Sequence, residues 1–327
     1  MTLLHTLLHA TNFSRPFLST LVPSIGLAYT IQGLAAVPSI LAQTERFYDL
    51  SGSVTYISCT ALSLYLPTIR ARFAAAAAGS AKPAWPSILA ALAGNGGGLN
   101  WRQVALSAAV SVWATRLGSY LFSRISSDEG TDSRFDDIRS SPPKFLVAFF
   151  AQATWVTLCL MPVLAINALP ASLFSTLPAA IGITDILGAL LFVGGFSFEV
   201  AADRQKNKWV QEKKTKKHSE EFLTRGLWSK SRHPNYFGEV TLWTGIASIA
   251  GGVLVSNAGQ MGIGLAGGPL GIAAALAMAG VSPAFVSLLL FKVSGIPLSE
   301  GKYDKRYGDR KDYQEWKKNT PMFFPKF

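Results

Sequence analysis

The chain is poor in the residues that disulfide-stapled and metal-binding proteins depend on. It holds two cysteines, Cys59 and Cys159, and four histidines in 327 residues. Both cysteines fall inside apolar runs, so no disulfide framework or thiolate metal site is expected, and they read as small packing residues. His5, His9, His218 and His233 have no spacing that would gather them on one ion, and no metal is expected. Charge is scarce too. Only 15% of residues are charged against 49% hydrophobic, a balance unusual for a soluble chain with a single core. No Gly-x-Gly-x-x-Gly segment occurs in a strand–helix setting, so a Rossmann domain is not supported. The first residues lack a basic stretch leading into a short apolar core and a small-residue cleavage site, and no cleaved signal peptide is expected. No prenylation or retrieval signal is read at the far end.

What the chain does have is long apolar runs. A membrane helix needs about 20 apolar residues at a rise of about 1.5 Å each. Phe17 to Ala42, Ser51 to Ile69, Trp101 to Ile125, Phe145 to Asn167, Ile181 to Ala202 and Ile272 to Val293 qualify, and the apolar stretch Val240 to Val255 completes a helix entered at Pro234. The expected fold is all-α, a polytopic integral membrane bundle of about seven transmembrane helices. The Ala- and Gly-rich stretch from Ala74 to Gly98 reads as a loop, and residues 1–100 as a variable region ahead of a C-terminal membrane domain over 101–327. The net charge of +11 does not point to nucleic acid, because the lysines and arginines sit in loops between apolar runs. The most basic loop, Arg204 to Arg232, and the basic tail are expected in the cytosol. Counting back from there puts Asp128 to Lys144 in the cytosol and the Ala74–Gly98 loop across the membrane, against the pull of Arg70 and Arg72. The stretch Asp132-Ser133-Arg134-Phe135, with Asp136, Asp137 and Arg139, has the mixed signs of a self-neutralising loop.

Three polar patches fall on the cytosolic side. On the fifth run Glu199, Asp203 and Lys206 are spaced i, i+4 and i+7 and share one helical face. On the sixth, Pro234 suits a first helical turn, and Asn235 and Glu239 stack above Trp243. The tail carries Glu300, Tyr303, Asp304, Arg306, Tyr307, Tyr313 and Trp316. Cations with aromatics between them suit a phosphate-bearing ligand with flat rings. Lys206, Arg225, Arg232 and Arg306 could hold phosphates, and Trp228, Tyr236, Tyr303 and Tyr307 could pack on rings. Glu199, Asp203, Glu239 and Glu300 could accept bonds from ribose hydroxyls or a carboxamide.

Gly226-Leu227-Trp228 followed by Ser231-Arg232-His233-Pro234-Asn235-Tyr236-Phe237-Gly238-Glu239 resembles the C-terminal domain of the steroid 5α-reductase superfamily. The likeness runs from about Trp113 to Phe327, and Arg116-Leu117-Gly118 before Asp132-Ser133-Arg134-Phe135 belongs to it. It implies NADPH bound from the cytosolic side and hydride delivery to an activated carbon–carbon double bond of a lipid or sterol-like substrate. Carried over by position, the implied cofactor contacts are Asp203, Lys206, Arg232, His233, Asn235, Tyr236, Glu239, Glu300 and Tyr307, joined by Glu199 from the polar face above. Tyr236 and Glu239 are the implied catalytic residues. An endoplasmic reticulum membrane is implied for a eukaryotic source.

Two positions depart from the pattern. Trp113 stands where the steroid enzymes have an acidic tyrosine, and an indole has no transferable proton. Val210 stands where sterol reductases have an arginine, leaving Lys208 or Lys213 for phosphate. The Arg-His-Pro-x-Tyr core is shared with membrane methyltransferases, so S-adenosylmethionine is the alternative cofactor. A non-catalytic lipid-binding protein is the third reading.

Overall fold

The computed structural model describes residues 3–94, 97–127, 132–177 and 181–327. Asp128 and Pro178, both expected in loops, lie outside them. Helix makes up 76% of the described residues, which include no strand. In chain order the helices are α1 (Leu3–Ala10), α2 (Pro16–Leu41), α3 (Tyr48–Ala77), α4 (Ile88–Leu92), α5 (Trp101–Ser127), α6 (Pro142–Ala168), α7 (Ala171–Phe174), α8 (Ile183–Lys214), α9 (Pro234–Leu254), α10 (Asn257–Gly262), α11 (Gly268–Leu288), α12 (Ile296–Tyr307) and α13 (Lys311–Asn319). Proline sits in the first turn of α2, α6 and α12 and opens α9, where its missing N–H leaves no bond unmade.

Five helical stretches among the described residues are long and apolar enough to cross a membrane: Pro16–Leu41, Pro142–Ala168, Ile183–Lys214, Pro234–Leu254 and Gly268–Tyr307. This is consistent with an integral membrane protein, and it is two fewer than the expected seven. The remaining two runs, α3 and α5, do form helices of 30 and 27 residues. Their polarity separates them from the others. Asp49, Arg70, Arg72 and several serines and threonines dilute α3, and Arg102, Gln103, Arg116 and Arg124 dilute α5.

The chain divides into two compact units, Met1–Gly182 with Ile249–Val281, and Ile183–Ser248 with Ser282–Phe327. Helices α9 and α11 each contribute to both.

In the first unit α2, α3, α5 and α6 pack on one another. Apolar burial cannot select helix partners inside a bilayer, so side-chain bonds and small residues do so. Gln32 Nε2 donates to Thr55 Oγ1 at 2.8 Å, and Ser51 Oγ lies 3.2 Å from Gln152 Oε1. Asn167 Nδ2 donates to Ser63 Oγ at 2.9 Å and Ser107 Oγ at 3.1 Å. Tyr56, Trp113 and Trp155 meet edge to face in the core. Cys59 and Cys159 are buried free thiols.

The mixed-sign stretch closes on α2 and α3. Glu45, 1% exposed, takes both arms of the Arg139 guanidinium, at 2.7 and 2.6 Å, and the Asp132 N–H. Arg134 bridges Asp49 and Asp132, each at 2.9 Å. Burial pushes the Glu45 carboxyl upward, but the bonds from Arg139 and Asp132 outweigh it and hold the group below its ordinary value. Arg70 and Arg72, which disturbed the topology count, bond to the chain itself. Arg70 donates to Thr11 O at 2.9 Å, Ser19 O at 3.0 Å and Leu8 O, and Arg72 donates to Pro83 O and lies over the Trp85 ring.

The second unit is built on α8 and the first turns of α9, which touch backbone to backbone. A Cβ on Gly238 would stand 2.6 Å from Glu199 N, and one on Gly195 2.7 Å from Gly238 O. Two turns along, a Cβ on Gly245 would stand 2.5 Å from Gly188 O. Glycines seven apart on each helix therefore bring Glu199 and Asp203 of α8, both buried, alongside the start of α9. At about 1.5 Å per residue, α8 is roughly 48 Å long against a bilayer core of about 30 Å, so its basic C-terminal turns project beyond the apolar part.

Candidate functional site

Every residue singled out for the site lies in the second unit. The loop before α9 is set by its contacts with α8. Gly226 has φ +64°, and a Cβ there would sit 2.4 Å from Gln205 Oε1, the atom that accepts the Leu227 N–H at 2.8 Å. The Trp228 indole donates to Ala202 O at 2.9 Å, and Lys206 Nζ lies 5.0 Å from its ring centre. On its other side the loop is held by the tail. Arg232 N donates to Pro321 O at 2.9 Å and Lys326 N to Lys230 O at 2.9 Å. The buried Ser231 hydroxyl donates to Phe323 O at 2.8 Å while accepting the His233 N–H at 3.1 Å.

Glu300, on α12, is the hub. Its Oε1 lies 3.0 Å from His233 Nε2, and its Oε2 2.9 Å from Lys317 Nζ on α13. Arg232 Nε stands 3.3 Å from Oε1, an ion-pair distance without hydrogen-bond geometry, while Arg232 Nη1 donates to Lys317 O. A carboxylate at Nε2 fixes the tautomer with its hydrogen on that atom. Burial lowers the His233 pKa, and the Glu300 bond only partly offsets it, so the ring is neutral at neutral pH. Tyr236 stacks on His233 with ring centres 5.3 Å apart and planes within 4°. For Lys317, burial works downward, but the bonds to Asp304 and Glu300 prevail and raise its pKa.

Two hollows adjoin this hub. The inner one, about 30 Å³, is lined by Lys206, Arg232, His233, Glu300, Trp228 and Trp316, among others. The outer cleft, about 530 Å³, falls within the usual range for ligand pockets of about 300–1,000 Å³. Its walls carry five cations, Lys206, Lys213, Lys214, Lys302 and Arg306, against the single carboxylate of Glu221. Trp209, Tyr303 and Tyr307 supply the rings. Lys206, Trp209, Ser299 and Tyr303 border both hollows.

Of the residues chosen from sequence, Lys206, Arg232, His233 and Glu300 thus share the inner hollow, and Lys206 and Tyr307 line the outer cleft. Glu199, Asp203, Asn235, Tyr236 and Glu239 border neither. They stand on α8 and the first turns of α9, where Tyr236 reaches the hub through its stack on His233. Asn235 Oδ1 and, at the inner hollow, Trp316 Nε1 are buried atoms without a hydrogen bond. Orphaned polar atoms of this kind are costly unless something else meets them.

Sequence reasoning passed over Trp209, Ser231, Lys302 and Lys317. Trp209 had a signal, since it continues the Lys206 face of α8 by i+3. Lys317 had none: it reaches Glu300 only because the chain turns between α12 and α13.

Residues 72–320 match the family described as "Protein of unknown function (DUF1295)". No curated protein and no solved structure matches the chain.

Proposed function

The chain belongs to the DUF1295 family, and from that premise we propose that it is an NADPH-dependent membrane oxidoreductase reducing a carbon–carbon double bond of a lipid or sterol-like substrate. The observation that carries this reading is the outer cleft, with its five cations interleaved with tryptophan and tyrosine. Such a lining suits a polyanion bearing flat rings. The likeness of the Gly226–Glu239 segment to steroid 5α-reductases points the same way, and its Trp228, Arg232 and His233 line the inner hollow, which shares four lining residues with the cleft. The endoplasmic reticulum location implied by that likeness belongs to the same proposal.

The donor set fits the cofactor. Lys206, Arg232 and Arg306 would hold its phosphates, and Trp209 and Tyr303 would pack on its rings; a carboxamide N–H reaching beyond the hollows would meet the orphaned Asn235 Oδ1. Bound NADPH supplies the hydride. Glu300 fixes the ring of His233 and, through the stack, the phenol of Tyr236, leaving Tyr236 and Glu239 as the candidates for holding a proton near the reacting carbon. S-adenosylmethionine, a sulfonium cation, is disfavoured by a cleft with this charge.

The test is thermal stabilisation of detergent-purified protein by NADPH, NADH and S-adenosylmethionine. NADPH is expected to raise the melting temperature, and Lys206→Ala to weaken its binding about tenfold, the loss of one charge-assisted contact. Stabilisation by S-adenosylmethionine alone would overturn the assignment.

A further inference from the structure

Glu221 lies on the loop between α8 and α9 and is the one carboxylate on the wall of the outer cleft. Its Oε2 is 3.2 Å from Lys213 Nζ, 3.1 Å from the Tyr307 hydroxyl, which donates to it, and 3.8 Å from Arg306 Nη2. These three groups come from α8 and α12 and meet at one oxygen. An ammonium, a phenol and a guanidinium converging on one point form the donor set that binds a phosphate group. Lys214 and Lys302, on the same wall, raise the potential there further. The bonds from Lys213 and Tyr307 hold the Glu221 carboxyl below its ordinary pKa, so it stands there ionised.

We infer that Lys213, Arg306 and Tyr307 form a binding site for a phosphomonoester, and that Glu221 is a resident carboxylate which the phosphate displaces. Glu221 is part-exposed, with its side chain about a third open to solvent, so its carboxylate can rotate outward while the Tyr307 hydroxyl keeps its bond to the Glu221 carbonyl. The site requires no dinucleotide behind its phosphate, and it stands whether or not NADPH is the cofactor. A soluble phosphate ester and the headgroup of a lipid such as phosphatidic acid present the same dianion.

The consequence runs opposite to that of removing an ordinary binding residue. Neutralising Glu221 frees the donors and removes a repulsive charge, so affinity rises. A single charge at about 4 Å in water changes binding about fivefold, and a dianion feels more. The experiment compares wild type, Glu221→Gln and Glu212→Gln. Glu212 pairs with Lys208 and Arg225 and lines neither hollow, so its variant makes the same change in net charge away from the cleft. Each protein is titrated with inorganic phosphate in detergent, and separately compared in nanodiscs of phosphatidylcholine with and without phosphatidic acid.

Tightening of about fivefold or more in Glu221→Gln but not in Glu212→Gln is the expected result. Seen with inorganic phosphate, it identifies a soluble ester; seen only with phosphatidic acid, it identifies the lipid. Unchanged or weaker binding of both probes by Glu221→Gln, equal gains in both variants, or binding of neither inorganic phosphate up to millimolar concentration nor phosphatidic acid by any protein would overturn the inference. Because the probes carry no nicotinamide, failure of the dinucleotide reading and failure of this site give different results.

Discussion

Glu45 in the first unit and Glu300 in the second are both carboxylates paired with basic side chains, and they are put to opposite uses. Glu45 is sealed. One guanidinium takes both its oxygens, a backbone N–H adds a third bond, and Phe135 packs in the core beside them. Glu300 distributes its two oxygens over His233, Arg232 and Lys317, and shares the wall of a hollow with the first two. The first arrangement closes a loop and spends all its polarity within the protein. The second holds several donors close together with capacity left over, as the unmet Trp316 Nε1 beside it records. Glu300 has three basic partners to the one of Glu45, yet it is Glu45 whose shell is closed.

The largest effect that tests this contrast is Arg139→Ala. It leaves Glu45 buried and uncompensated, and should cost about 3 kcal/mol or more in denaturant unfolding in detergent. A loss below about 1 kcal/mol would mean that Glu45 is solvated like a surface acid, and the contrast would fail. Next comes Gly238→Val. Its Cβ would meet backbone atoms of α8 that cannot step aside, so about 2 kcal/mol is expected to be lost. NADPH affinity should fall with it, because α8 and α9 carry the site together. Full retention of binding would show that the close helix approach does not position the site.

The smallest effect is in pH. Burial puts the His233 pKa below its ordinary value of 6.5 in the folded chain. The unfolded chain therefore takes up the proton first, and stability present above about pH 6.5 is lost as pH falls below it. Between pH 7 and pH 5 the wild-type melting temperature should drop more than that of His233→Gln, which has no such proton to bind. Equal slopes would take His233 out of the titration.

How far these features could be read beforehand differs between residues. The limits of α2, α6 and α9 lie within three residues of the expected helices, with prolines marking their first turns, because apolar length and a fixed φ act locally. The shared face of Glu199, Asp203 and Lys206 was readable from helical spacing alone. The bonds of Arg70 were not readable, since no local pattern tells that an arginine will bond to carbonyls of a segment 51 to 62 residues earlier. The tail was recognised as basic and aromatic, but its grip on Ser231 and Arg232 was not foreseen. That grip joins a hydroxyl to a carbonyl 92 residues away.

The sequence by itself determined that this protein is helical, rich in apolar runs and basic in the loops between them, because those properties are sums over neighbouring residues. Only the tertiary structure decided which charges are used up and which are held for a ligand. Attraction between charges depends on distance in space and on burial, and the 67 residues between His233 and Glu300 are crossed only when the chain folds.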